Sequence, residues 1–184
     1  MRLLIAFLLI CFLSYSSSAK DYLNEQEVDR VREAQEIDKR TMVFLKIATR
    51  RLDTILGVKT VEVPQPAKKK DKKEKKKEKK KEKEEEELSQ DYGPDPVGST
   101  SQLLAGYTNA IVEMMDKIDD AYEKRKDDPK LSKALEKVRE GGKEQLGRLE
   151  QVRAKLKSDE EQRLLEKAIE TVKMAVLGAS EFDK

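Results

Sequence analysis

Apolar residues recur at steps of three and four along most of this chain, and that spacing predicts amphipathic helices. Three such stripes occupy residues 99–184: Leu103, Tyr107, Ile111, Met114, Ile118 and Ala121; then Leu131, Leu135, Val138, Leu149, Val152 and Leu156; then Leu165, Ala168, Ile169, Val172 and Val176. Capping residues precede each of them: Ser99 with Gln102, Asp128 with Pro129, and Ser158 with Glu161. We therefore expect three helices in this part of the chain.

Residues 20–57 show the same spacing with one interruption. Asn24 and Glu27 form a capping-box pair, which predicts a helix start. The apolar rhythm weakens near 34–40, so we expect a short helix, a hinge or irregular turn, and then a longer helix that ends at Gly57. The apolar face of the longer helix carries Met42, Leu45, Ala48, Leu52 and Ile55.

Glycines mark further points in the C-terminal helices. Gly141, Gly142 and Gly147 interrupt the second stripe, where each costs about 1 kcal/mol relative to alanine. They indicate a kink, a close helix crossing or a break into two helices, and the pattern alone leaves these alternatives open. Gly178 is expected to end the last helix.

The helices need one another, because none is apolar all round and each must bury its stripe. Connections at 127–129 and 157–159 are short, which makes consecutive helices antiparallel. Charged residues are 41% of the chain and aromatic residues 5%, a composition that favours helices. The predicted fold is all-α: a small antiparallel helical bundle of four to five amphipathic helices, with a disordered or partly helical charged linker at 58–98. Whether the helices of 20–57 dock on the bundle of 99–184 or on another copy is left open.

The first nineteen residues have the pattern of an export signal. Arg2 precedes an unbroken apolar run over 3–13, and small residues follow up to Ala19, a suitable cleavage site. The run has 11 residues, whereas a membrane-spanning helix needs about 20. We expect residues 1–19 to be removed as a signal peptide, leaving no transmembrane span, and the protein to be periplasmic or extracellular.

The residue inventory argues against several chemistries. The chain has no His, which removes the commonest metal ligand and the usual base of nucleophilic triads. Its one Cys, Cys11, lies in the apolar run, so the processed protein would have no disulfide and no thiolate metal site. No phosphate-binding glycine loop occurs, and no nucleophile stands near a base at a recognised spacing. We expect no enzyme activity, no cofactor and no metal.

A low-complexity, lysine-rich run is the sharpest feature of the linker. Residues 68–83 hold 12 Lys and four acids, and the absence of apolar residues keeps them out of any core. One interpretation is a solvated spacer between the N-terminal and C-terminal helices; the alternative is a polyanion-binding segment, although no interleaved Arg or aromatic residue supports specific nucleic-acid binding. The candidate polyanion-binding residues are Lys68, Lys69, Lys70, Lys72, Lys73, Lys75, Lys76, Lys77, Lys79, Lys80, Lys81 and Lys83.

A second candidate site is an acidic stripe on the first C-terminal helix. It consists of Glu113, Asp116, Asp120 and Glu123. Carboxylates at these steps could bind a hard cation or act as an acid–base pair. The spacing of Glu113 to Lys117 and of Asp120 to Lys124 is that of ion pairs on a solvated helix face, which is the interpretation we prefer. Tyr107 and Tyr122 are expected to pack rather than to react.

Two segments carry a family resemblance: REAQEIDKR at 32–40 leading into FLKIATRRLDTI at 44–55, and LLEKAIETVKMAVLGASEF at 164–182. They are similar to the opening and the last helix of a group of small exported bacterial proteins that are common in Acidobacteria-like genomes. The resemblance implies a helical fold and export, and it brings no assigned activity and no catalytic residue. A proline often stands in that group at the position of Ile37, which agrees with a hinge there, whereas the lysine-rich insert is a departure.

These patterns predict an exported, non-enzymatic helical protein that acts by binding or scaffolding. The expected partner is another protein, or a second copy of this chain, contacted through helices. The alternative is a protein that binds a polyanion or an envelope surface, such as anionic lipid or acidic polysaccharide, through residues 68–83.

Overall fold

The computed structural model describes residues 22–58 and 92–181 of the 184-residue chain. These ranges contain five α-helices and no strand, which confirms the all-α prediction. The helices are α1 (Glu25–Glu33), α2 (Ile37–Leu56), α3 (Thr100–Lys124), α4 (Pro129–Arg153) and α5 (Asp159–Glu181). The predicted signal peptide, all twelve candidate lysines and most of the predicted linker lie outside the described residues.

Local capping chemistry sets the helix starts as the sequence predicts. The Asn24 side chain accepts a hydrogen bond from the backbone N–H of Glu27, and the Glu27 carboxylate accepts one from the backbone N–H of Asn24. Ser99 and Gln102 form the same reciprocal pair at α3. Gly57 ends α2 in the left-handed region, with φ 74°, where glycine carries no Cβ penalty.

The interruption between α1 and α2 is shorter than the predicted 34–40 segment. Only residues 34–36 are non-helical, and Ile37 is already the first residue of α2. The Arg40 side chain stabilises the break, because its Nε donates a hydrogen bond to the carbonyl of Ala34 at 2.8 Å.

The four long helices form one bundle around a shared core. Helix α2 packs against α3 and α4, and α5 packs against the same two helices from the opposite side. Consequently α3 and α4, although consecutive, lie diagonally and share few contacts. The largest fully buried side chains come from all four helices and include Phe44, Ile47, Leu52, Leu104, Tyr107, Ile111, Met114, Ile118, Val138, Leu149 and Leu165.

Consecutive helices are antiparallel, as predicted, but the neighbours α2 and α4 run in the same direction. Glu36 before α2 pairs with Lys130 at the start of α4, at 2.5 Å. Asp53 near the end of α2 pairs with Arg148 near the end of α4, also at 2.5 Å. The end of α2, the start of α3 and the α4–α5 turn therefore share one end of the bundle.

The glycines of α4 do not break it, because one helix runs from Pro129 to Arg153. Gly142 marks a close crossing with α5, since a Cβ there would lie 2.4 Å from Cγ2 of Val176. The prediction that Gly178 ends the last helix is wrong: α5 continues to Glu181, and no contact or positive φ at this glycine requires a stop.

The N-terminal helices dock on the C-terminal helices, which answers the question that the sequence left open. Val58 follows the end of α2, and Tyr92 lies next to Arg50 of the same helix. Helix α2 is also buried between α3 and α4, so the helices on both sides of the insert belong to one core. In the described part of the chain, no helix is long and apolar enough to cross a membrane.

Candidate functional site

Two buried arginines and one buried glutamate form the most densely connected polar cluster among the described residues. Glu27 of α1 is 1% exposed, and Arg50 and Arg51 of α2 are each 3% exposed. One Glu27 carboxylate oxygen accepts hydrogen bonds from Nη1 of Arg50 at 3.0 Å and Nη1 of Arg51 at 3.2 Å. Its other oxygen accepts from Nη2 of Arg51 at 2.9 Å. The cluster holds two buried positive charges against one buried negative charge.

Arg50 connects this cluster to the segment that follows the insert. Its Nη1 donates to the carbonyl of Tyr92 at 2.9 Å, and its Nη2 donates to the carbonyls of Gly93 and Pro94, each at 2.7 Å. The guanidinium also lies over the Tyr92 ring, 5.7 Å from its centre. The more exposed carboxylate of Asp95 is 3.8 Å from Nη2. A single side chain of α2 thus binds three consecutive carbonyls beyond the insert.

Arg51 performs the corresponding task for the residues before α1. Its Nη2 donates to the carbonyl of Tyr22, and its guanidinium carbon lies 5.4 Å from the centre of the Tyr22 ring. The Tyr22 hydroxyl donates to the carboxylate of Glu113 on α3 at 2.7 Å. Burial, followed by this hydrogen bond to a carboxylate, raises the pKa of Tyr22 well above its usual range. Tyr22 is therefore held as a neutral hydrogen-bond donor.

Sequence reasoning missed this cluster. The sequence patterns assign Glu27 only to the Asn24 cap, and they assign no role to Arg50 and Arg51. One signal was present in the sequence. Ala48 and Leu52 lie on the apolar face of the helix, and two adjacent arginines stand between them, so at least one guanidinium must lie beside the core. Identifying Glu27 as its partner requires the fold, because more than twenty residues separate them in the chain.

The acidic stripe does not form a buried carboxylate site. Asp116, Asp120 and Glu123 are exposed, and Glu113 is the partly buried acceptor of the Tyr22 hydroxyl. Lys117 pairs with Asp120 at 3.8 Å, which fits the solvated-face interpretation. No group of three or more potential ligands is placed to hold a metal ion in the described ranges. As expected, Tyr107 packs fully inside the core, where burial raises the pKa of its hydroxyl.

A cleft of about 490 Å³ opens beside the buried cluster. We call it the Arg51 cleft; its lining residues are Tyr22, Leu23, Asn24, Glu27, Arg51, Pro96, Val97, Gln102, Leu103, Ala105, Gly106 and Asn109. A second groove of about 630 Å³ follows the seam between α2 and α4. Its wall includes Gln145, whose Oε1 is buried without a hydrogen-bond partner, while its Nε2 donates to Oγ1 of Thr49 at 2.6 Å.

Comparison with known proteins adds no functional assignment. No protein-family model, curated protein or solved structure matches this chain. The resemblance to small exported bacterial proteins therefore stays a prediction.

Proposed function

We propose that this chain is an exported, non-enzymatic helical protein that acts as a binding scaffold in the periplasm or outside the cell. The observation that carries this proposal is the fixation of both flanks of the insert on one body. Arg50 binds the carbonyls of Tyr92, Gly93 and Pro94, while the backbone N–H of Val58 donates to the carbonyl of Asp53, at the end of the helix that contains Arg50, at 2.9 Å. The bundle thus holds Val58 and Tyr92, the two residues that flank 59–91 in the sequence.

The bundle itself does not require an insert of this length. Helices α2 and α3 are antiparallel neighbours, so the end of one lies near the start of the other. Connections between antiparallel helices in bundles usually take about 2–8 residues. Because residues 59–91 exceed that need, we attribute their presence to an activity of the segment rather than to chain closure.

The composition of the insert suggests a second, more specific proposal: the scaffold presents Lys68 to Lys83 to a polyanionic surface. Twelve lysines against four acids give this run a strong local positive charge, and lysines near an anionic surface contribute on the order of 1 kcal/mol each. The described ranges supply no comparable excess, since their acidic and basic residues nearly balance. Anionic lipid or acidic polysaccharide fits this chemistry better than a specific nucleic-acid sequence, which calls for arginine forks and stacking rings.

Binding to heparin and to vesicles containing anionic lipid tests the second proposal. We expect the full chain to bind both, with an affinity that falls steeply as salt rises, because the interaction is one of exposed charges. A variant lacking residues 68–87 should lose the binding while keeping its helical circular dichroism spectrum. The matched control replaces Lys167 and Lys173, two exposed lysines of α5, with glutamine and should bind as the parent chain does.

The two proposals differ in what the deletion does to other partners. If the scaffold acts through its helices, capture of a protein partner from the extracytoplasmic fraction should survive deletion of 68–87. Heparin binding that persists after the deletion would contradict the assignment to the lysines. Recovery of the unprocessed chain from the cytosol would contradict the proposed export.

A further inference from the structure

We propose that the Arg51 cleft binds the carboxylate of a small organic acid with an apolar body. The inference concerns residues of 22–58 and 92–181 alone, and it does not depend on what residues 59–91 bind. It rests on the unused hydrogen-bonding capacity of Arg51, on the glycine that keeps this side chain accessible, and on the mixed character of the surrounding walls.

Arg51 has one donor left over. Its Nη1 donates to Glu27 and to the carbonyl of Ile47, and its Nη2 donates to Glu27 and to the carbonyl of Tyr22. A guanidinium has five N–H donors, and within 22–58 and 92–181 the Nε–H has no acceptor. An unpaired donor of a charged group favours an acceptor, and a carboxylate is the strongest one available to it.

Gly106 keeps the approach to this donor open. A Cβ at position 106 would lie 2.9 Å from Nε of Arg51, closer than side-chain carbons normally approach. Gly106 and Arg51 both line the cleft, so a side chain at 106 would narrow the cleft next to the unused N–H. The neighbouring buried positions Leu103 and Tyr107 carry much larger side chains.

Charge and lining favour a small amphipathic acid. The buried part of the cluster has two guanidinium groups and one carboxylate, and the largely exposed Asp95 lies 3.8 Å from Arg50, so a further carboxylate in the cleft would add to the compensation of Arg51. Leu103, Pro96 and Val97 offer apolar surface, and Asn109 and Gln102 offer side-chain amides. The volume of about 490 Å³ lies within the usual range of about 300–1,000 Å³ for ligand pockets.

Hexanoate is a suitable probe, with hexan-1-ol as its neutral counterpart. In a titration of the ¹⁵N-labelled full chain, hexanoate should shift the Nε–H signal of Arg51 and the amide signals of 103–106. Hexan-1-ol should bind at least about tenfold more weakly, as expected for loss of a charge-assisted hydrogen bond. The Nε–H signal of Arg148, which lies on α4 away from the cleft, serves as the internal control.

Gly106→Ala tests whether the cleft is the site. It should weaken hexanoate binding at least about tenfold, since its Cβ intrudes beside the donor. Gly147→Ala is the matched control, because nothing lies within 4 Å of a Cβ at that position, and it should bind normally. If Gly106→Ala fails to fold, the Arg51 signal in the unaltered chain still decides. Equal binding of the acid and the alcohol, or an Arg51 signal that hexanoate leaves in place, would overturn the proposal.

Discussion

Replacing Glu27 with glutamine removes the carboxylate from between two buried guanidinium groups while keeping the shape of the side chain. The carboxylate accepts four hydrogen bonds, three from Arg50 and Arg51 and one from the backbone N–H of Asn24. Removing one partner of a buried ion pair typically costs about 3–5 kcal/mol, because the other charge stays buried without compensation. Glutamine retains one acceptor oxygen, so we expect a loss at the lower end, about 3 kcal/mol.

A loss of this size is large compared with a total stability of about 5–15 kcal/mol for a folded domain. For a body of this size it corresponds to a fall in melting temperature of about 10–15 °C. Thermal and urea unfolding followed by circular dichroism at 222 nm would measure it. Exchange of the backbone amides of Tyr92, Gly93 and Asp95 should also accelerate, because Arg50 would lose the carboxylate that orients it toward the carbonyls of this segment.

Glu33→Gln in the same helix is the matched control. Glu33 pairs with Arg30 at 2.7 Å, but its side chain is 65% exposed, and such surface pairs contribute about 0–1 kcal/mol. The reasoning is refuted if both variants lose less than about 1 kcal/mol, because Glu27 would then behave as a surface acid.

Three further predictions address packing, the insert and pH. Gly142→Ala should destabilise the bundle by about 1–3 kcal/mol, because the added Cβ crowds α5. Gly147→Ala should stabilise it by up to about 1 kcal/mol, because nothing lies near a Cβ at that position. Urea midpoints that shift in the same direction for both variants would contradict a close crossing at Gly142. Cleavage confined to 59–91 should leave two fragments that co-elute on gel filtration and separate only in denaturant, and separation in native buffer would contradict the shared core. The hydrogen bond and the charge of Lys130 hold the pKa of Glu36 below its usual range in the folded protein. The stability that this carboxylate contributes is therefore present above about pH 4.3 and is lost as the pH falls through the folded-state pKa of Glu36. The same contact raises the pKa of Lys130, so the stability that the lysine contributes is lost only as the pH rises beyond about 10.4. Melting temperatures of the parent chain and of Glu36→Gln should therefore differ at neutral pH and converge at acid pH.

Helices and their ends were predictable because the information is local. The caps at Asn24 and Ser99 need only residues three positions away, and the apolar stripes need only their own spacing. Gly178 was misread because a glycine ends a helix only where the backbone turns left-handed, and here packing of Ala175 and Ala179 into the core extends the helix beyond it.

The arrangement of helices and the candidate site were not predictable, because both depend on contacts between distant segments. Short connections imply antiparallel direction, yet they do not specify whether two helices are neighbours or diagonal, and α3 and α4 are diagonal. The pairing of Glu27 with Arg50 and Arg51 likewise needs α1 folded back along α2. The twelve lysines are visible only in the sequence, and their role stays a prediction.

The diagonal placement of α3 and α4 has a consequence for the order in which the molecule assembles. Helices α4 and α5 pack extensively against each other, and only five residues, 154–158, connect them. Closing this short loop therefore costs little entropy. Helices α3 and α4 share few contacts, so a hairpin of these two alone gains little from packing, and each needs α2 or α5 beside it. We expect α2, which reaches α3 only across the long insert, to dock after the α4–α5 hairpin, because closing a longer loop costs more entropy.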